Sequence, residues 1–421
     1  MAILVLALTA AVAVASSPLD PSFGRDGIVL APQSRNEGAR ALAEDARHRL
    51  VVAGSTRGGA LAIRRYLGDG RVDRAFGRGG ETVTELESEA SAEAVLVLPD
   101  GKILVGGGTL TALTLLRYLD DGTEDRGFGR NGNVLVPAGT KGAGLLALDR
   151  GRGGRILAGG YRRGLNGRWT GLAVRFRQDG TLDPSFGHGG KVRFHAAGDF
   201  PVSVSGIAEL PSGRVLVGGD SGGSLLLARL LADGRPDPSF GGGDGKVLVD
   251  VDRSRLCGCS FANGLVVDGQ GRPVLGGVVT GPGPETAMAA RFQPDGRIDR
   301  TFGRRGFALA RRGSTSAINA IALQPGGRIA AAGYGVRRDS GETQAIVLRF
   351  LSTGALDRAF GHGGFFGADL GSESVAYAAL GQRDGRVVVA GRANIRRPQF
   401  EELESPLDGA QFMLMRLPVA R

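Results

Sequence analysis

One phrase returns through the whole chain and limits its fold more than any other feature. L-D-P-S-F-G-R-D-G at residues 19–27 comes back as V-D-R-A-F-G-R-G-G at 72–80 and as L-D-P-S-F-G-H-G-G at 182–190. Aligned on Phe-Gly, the copies fall at Phe23, Phe76, Phe128, Phe186, Phe240, Phe302 and Phe360. Successive gaps are 53, 52, 58, 54, 62 and 58 residues. That period exceeds a WD repeat and is close to a kelch repeat.

Each copy has four parts. A short strand follows the Phe-Gly turn, as at Ile28-Val29-Leu30. An alternating apolar strand comes next, as at residues 94–98, and ends in a turn such as Pro99-Asp100-Gly101. The third strand is very apolar and closes on Gly: Gly54, Gly107, Gly160, Gly219, Gly277, Gly333 and Gly391. Such a Gly implies close backbone approach or a bulge. The fourth strand carries an Arg, usually before an aromatic, as in Arg117-Tyr118 and Arg291-Phe292. Apolar residues are 42% of the chain, in short runs bounded by Gly, Asp and Pro, and the 73 glycines follow no collagen period. Four strands in each of seven copies predict an all-β chain: a seven-bladed β-propeller of four-stranded antiparallel blades.

The phrase L-D-x-S-F-G-x-G-G, with D-G-K-I-x-V-x-G and L-x-R-Y, resembles the delta-60 repeat family over residues 19–417. The resemblance implies a propeller-like repeat of bacterial secreted or surface proteins, and it implies no catalytic residues. Copies five and seven are looser, with inserts near Cys257 and Pro398.

Charge gives the phrase a purpose. Arg65, Arg117, Arg175, Arg229, Arg291 and Arg349 each precede an Asp by eight residues: Asp73, Asp125, Asp183, Asp237, Asp299 and Asp357. The turn between them folds each Arg back onto its Asp, a pair that stabilises a hairpin by about 0.2 to 1 kcal/mol, and more when buried and bidentate. The Phe then plugs the space between blades. Two groups are left over, Asp20 at the start and Arg416 at the end. In a ring they meet, so residues 28–30 are expected to complete the last blade beside residues 412–417. Calcium at Asp120, Asp121 and Asp125 is the rival reading. It is discounted, because the cation needs six or more oxygen ligands and Arg occupies the neighbourhood.

Residues 1–15 are apolar and uncharged, too short to span a bilayer, and end in Ala13-Val14-Ala15. They read as a secretory signal, although no Lys or Arg precedes the run; a start further upstream would also explain that. The expected domains are the signal, 1–15, and one propeller, 16–421, secreted or at the cell surface, monomeric and without a membrane span. The net charge of +10 lies wholly in the mature part and suits an anionic surface, or simply solubility.

Strands alternate in direction, so connections alternate between two faces. The repeated phrases share the regular face. The opposite face carries loops of variable length, the usual place for binding on a rigid scaffold. It gathers Arg162, Arg163, Arg311, Arg312, Arg337, Arg338, Arg396 and Arg397, with Trp169, Tyr161 and Tyr334. Arg beside aromatics suits phosphates, carboxylates and sugars; scattered solvated charge is the plainer alternative.

Catalytic signals are few. His188 and His362 occupy turn positions that hold Arg in other copies, and no zinc spacing exists. G-D-S-G-G at residues 219–223 echoes serine proteases without their framework. Cys257 and Cys259 can form a small strained disulfide in an oxidising compartment, a loop staple or two idle thiols being the plainer reading. No cofactor or metal is expected. The sequence therefore favours a non-catalytic binding or scaffold propeller that recognises an anionic envelope polymer, a glycan or a protein. The alternative is a lactonase- or phytase-like hydrolase working at the central channel. It would draw on Asp199, Asp220, Asp250, Asp252 and Asp369.

Overall fold

Every inner strand of this protein carries an extra residue at the same place, and that irregularity is as periodic as the repeated phrase. The computed structural model describes residues 19–31, 36–56, 58–138, 140–196, 200–251, 259–281, 283–368, 370–371, 373–394 and 410–419. Within them the strands form seven four-stranded antiparallel blades. Blades 1 to 6 are continuous in sequence: residues 36–84, 90–137, 140–194, 202–249, 259–310 and 315–368. Blade 7 takes three strands from the end of the chain, Glu373–Gly381, Val387–Asn394 and Ala410–Leu417, and its outer strand, Ile28–Leu30, from the beginning. Ile28 pairs with Met415, Val29 with Leu414 and Leu30 with Met413. The ring closes as the unpaired charges of the sequence require. One parallel bridge, Thr343 to Glu373, joins blades 6 and 7.

Apolar side chains alternate onto both faces of each blade, so the core is a set of clusters between neighbours. Val51, Ala53, Leu61 and Ile63 of blade 1 pack on Ala92, Ile103 and Val105 of blade 2. Phe23, Leu50, Val52, Val388 and Leu414 join blades 7 and 1.

The repeated phrase works as a latch. In all seven copies the Arg Nε donates to the carboxylate of its Asp at 2.7 to 2.9 Å, Arg416 to Asp20 included. The guanidinium lies 4.3 to 4.7 Å from the ring centre of the following Phe. The Arg also reaches the next blade: Arg65, Arg117, Arg175, Arg229, Arg291 and Arg416 donate to the carbonyls of Asp120, Gln178, Ala232, Pro294, Ser352 and Gly68. At the same six junctions the amide after the Phe donates to a carbonyl of the next blade's turn at 2.7 to 3.1 Å.

A second cation, not singled out from the sequence, attends every latch. Arg49, Lys102, Arg155, Arg214, Arg272, Arg328 and Arg386 stand just before the second strand of each blade, 2.9 to 3.8 Å from the same Asp. Burial alone would raise the carboxyl pKa of Asp183 and Asp237. Hydrogen bonds from Ser185 and Ser239, and the guanidinium groups, outweigh it and hold both at about 2. Asp120 lies against Arg49 and Arg65, and Asp125 against Arg117 and Lys102.

The closing Gly of each second strand lies beside the inner-strand irregularity. Gly107 pairs with Ala92 and Gly106 with Ala94, which leaves Glu93 as a bulge. The same offset leaves Arg40, Leu146, Ser205, Asn263, Asn319 and Tyr377 in the other blades. A β-carbon on any of the seven closing glycines would lie 1.7 to 2.2 Å from an inner-strand carbonyl oxygen. Only Gly admits that approach.

Candidate functional site

The seven latches bind their charged groups to one another, so those groups are engaged within the fold. Two other places carry side chains that structure does not fully engage: the variable face and the channel.

On the variable face, blade 3 builds a stack. Arg163 lies opposite Trp169 and Arg162 opposite Thr170 on adjacent strands. The rings of Tyr161 and Trp169 are 4.9 Å apart between centres and tilted by 34°. The Arg163 guanidinium sits 5.8 Å from the Trp169 ring centre. Arg162 points to the other side of the blade, where its buried Nε has no hydrogen-bond partner among the described residues. Lys191 and Arg193, on the outer strand, share that side. Burial, then Arg193 and Arg162, lower the pKa of Lys191.

Around blade 6 the charges turn inward. The Tyr334 hydroxyl donates to Glu285 Oε2 at 2.9 Å. Burial and this carboxylate push Tyr334 up to about 12. Arg337 pairs with Asp339, and Arg338 Nε donates to the Gly313 carbonyl at 3.1 Å. Ser316 Oγ accepts from the Arg312 amide and donates to its carbonyl, while Arg311 is exposed. Arg396 and Arg397 lie outside the described residues. The structure thus sorts the described candidates into a blade 3 group and a blade 6 group, with blades 4 and 5 between them.

The bulged residues form a belt on the innermost strands. Ser205 Oγ, Asn263 Nδ2 and Asn319 Nδ2 each donate to an inner-strand carbonyl of the next blade, that of Ala262, Ile318 and Ala376. Across blades 7, 1 and 2 the belt changes character. The Arg40 guanidinium lies 4.3 Å from the Tyr377 ring centre. Glu93 is half-buried; burial raises its pKa, against the pull of Arg40 and Ser91. In blade 3 the ring of Tyr161 rests on bare backbone at Gly144, whose absent β-carbon would lie 3.3 Å from it. Burial, then the charge of Glu93, raise the Tyr161 pKa.

Of the expected hydrolase carboxylates, the two described ones, Asp220 and Asp250, do not join this belt. Asp220 is buried in blade 4, its carboxyl pushed up to about 6 by burial against one hydrogen bond from Ser203. Asp250 accepts from the Ser224 hydroxyl. Asp199, Asp252 and Asp369 lie outside the described residues. His188 and His362 are exposed in their turns. No group of three metal-ligating side chains occurs among the described residues. Cys259 is a free thiol there. Cys257 lies outside those residues, as does the expected bond between the two.

Residues 98–128, 154–186, 210–240 and 324–360 match the family described as "Domain of unknown function (DUF5122) beta-propeller". These four segments match DUF5122 β-propeller repeats. Each matched segment ends on the Phe of a latch: Phe128, Phe186, Phe240 or Phe360. The recognised DUF5122 unit is therefore the latch with the two strands before it. No match is found among the curated proteins. Similar solved structures include a protein of unknown function from Dyadobacter fermentans, 15% identical with TM-score 0.47, covering 93% of this chain and 98% of that one. YCF48 from Cyanidioschyzon merolae is 13% identical with TM-score 0.46, covering 92% and 98%. An α-L-arabinofuranosidase from Fusarium graminearum is 9% identical with TM-score 0.44, covering 93% and 97%. These likenesses carry no argument about function. No helix among the described residues is long and apolar enough to cross a membrane.

Proposed function

We propose that the protein is a secreted or cell-surface, non-catalytic propeller that binds an anionic envelope glycan through its variable face. The observation that carries the reading is the blade 3 stack. Tyr161 and Trp169 offer ring faces, Arg163 lies against the indole, and Arg162 holds a buried donor with no partner among the described residues. Rings suit the apolar faces of sugars, and guanidinium forks suit carboxylate or phosphate. The net charge of +10 draws a polyanion toward the surface. The blade 6 arginines contribute less, because their loops already engage them.

The test is binding of the protein to an immobilised acidic polysaccharide at low and physiological salt, beside the triple variant Arg162→Ala, Arg163→Ala, Trp169→Ala. Binding that survives physiological salt and is lost in the variant is the expected result. Equal binding by the variant, or binding to every polyanion that vanishes with salt, would overturn the reading.

A further inference from the structure

The belt of bulged residues is a backbone feature shared by all blades, but its side chains are not shared, and the difference falls on opposite sides of the ring. Blades 4, 5 and 6 use Ser205, Asn263 and Asn319 to tie each inner strand to the next. Blades 7, 1 and 2 place Tyr377, Arg40 and Glu93 at the same positions, and none of these makes that tie among the described residues. Arg40 is exposed, holds its guanidinium over the Tyr377 ring, and has no carboxylate within salt-bridge distance among the described residues. Every latch Arg, by contrast, is buried or nearly so and paired. A guanidinium held over a ring and unpaired with a carboxylate keeps N–H donors for an anion.

The positions beside Arg40 add two more functions. Glu93 supplies a half-buried carboxyl on the neighbouring blade. Tyr161, laid over Gly144, continues the arc to Trp169 and Arg163. Blades 7, 1, 2 and 3 thus present an aromatic ring, a cation, a carboxyl and a two-ring platform in succession. Across the channel, Asn263 and Asn319 donate from Nδ2 and leave their amide oxygens to accept. Leu146 is the apolar member of the belt.

We infer that the channel mouth along blades 7 to 3 is a second binding site, which takes the end of an acidic saccharide. The Arg40 fork holds the sugar carboxylate. Glu93 and the Asn oxygens take its hydroxyls, and Tyr377 and Tyr161 meet its ring faces. This inference rests on the glycan reading above and adds to it the end of the chain and the place where that end sits. A polymer lying over the blade 3 platform enters the channel at Tyr161.

The experiment is calorimetric titration of the full chain with a galacturonic acid trimer and with the neutral galactose trimer of the same linkage. Arg40→Gln and Glu93→Gln are titrated in parallel, and each melting curve is recorded. The acidic trimer is expected to bind, the neutral one at least about tenfold more weakly, and each variant to lose about tenfold or more, the worth of a charged hydrogen bond. Equal binding of both trimers overturns the acidic class. Trimer binding untouched by both variants but lost in the blade 3 triple variant overturns the channel site and leaves the face reading standing. Polymer binding without trimer binding does the same. If neither polymer nor trimer binds, both readings fall. Hydrogen exchange of the unaltered protein covers variants that fail to fold: trimer-induced protection centred on residues 38–44, 90–97 and 373–381 supports the site, and protection elsewhere overturns it.

Discussion

The junction between blades 7 and 1 and the junction between blades 6 and 7 are neighbours in the ring, yet they are sealed by different contacts. At 7/1 the chain's beginning supplies a complete latch: Arg416 donates to Asp20 and to Gly68, its guanidinium lies over Phe23, and the Gly24 amide donates to Asp69 at 2.7 Å. At 6/7 the latch meets no such turn among the described residues: blade 7's third strand ends at Leu417 and its outer strand is Ile28–Leu30. Phe360 is 6% exposed where the other latch Phe rings are at 0%. Arg349 makes no bond to a neighbouring blade's carbonyl among the described residues. The seam is instead held by the Thr343–Glu373 bridge, by Ser374 Oγ accepting from the Ala345 amide at 3.0 Å, and by Gln324 donating to the Gly385 carbonyl at 2.6 Å. A ring made from one linear chain is interrupted at one place. Here the interruption falls inside blade 7, and the seam lies on its other side.

Deleting residues 19–31 breaks the comparison most directly. It removes the outer strand of blade 7, the partner of Arg416 and the plug Phe23 together. Loss of a single cooperative melt is expected, and an unchanged melting curve would show that the closure contributes nothing. Single substitutions sharpen it. Arg416→Ala leaves the buried Asp20 with only Arg386 and Ser22, and is expected to cost about 3 kcal/mol in denaturant unfolding. Arg349→Ala should cost about 1 kcal/mol less, the worth of the missing hydrogen bond to the next blade. Phe302→Ala, whose ring meets the Gly354 turn, should cost about 3–5 kcal/mol, and Phe360→Ala measurably less. Equal costs within each pair of variants would mean that the seam between blades 6 and 7 is latched in some other way.

The smallest effects are those of pH, and they have two signs. Asp183 and Asp237 are held at about 2, below their unfolded value near 3.8. Their stabilisation is present above that unfolded value and is lost as pH falls from about 4 through 2. Asp220, raised to about 6, has the opposite sign: folding is favoured while it is protonated, and stability falls as pH rises from about 4 through 6. Asp220→Asn should flatten the melting temperature over that upper window and leave the acid limb in place.

The latches were legible because each rests on chemistry repeated at fixed spacing. Arg and Asp eight residues apart gave the hairpin, and the two leftover charges gave the closure. The second cation at each Asp was equally periodic, one residue before every second strand, and could have been read in the same way. The closing Gly announced a close approach but not its target. The bulge belt left no signal at all, because Arg40, Glu93, Leu146, Ser205, Asn263, Asn319 and Tyr377 share a backbone offset and no chemistry. Nor could the sequence tell the blade 3 arginines from those of blade 6. Whether Arg337 meets Asp339, or Tyr334 meets Glu285, depends on loop paths that have no period.

Blade 7 also sets an order of events. Leu30 is synthesised long before Met413, its partner, so the outermost strand must wait with an open edge while six other blades are made. Open edges recruit whatever strand fits them. The strand that fits best is residues 410–417, and every other copy of the chain offers the same one. In a crowded solution the first strand of one molecule can therefore complete the last blade of another, giving an exchanged dimer with no contact that the monomer lacks. A higher share of dimer on refolding at higher protein concentration is the expected outcome, read by size-exclusion chromatography.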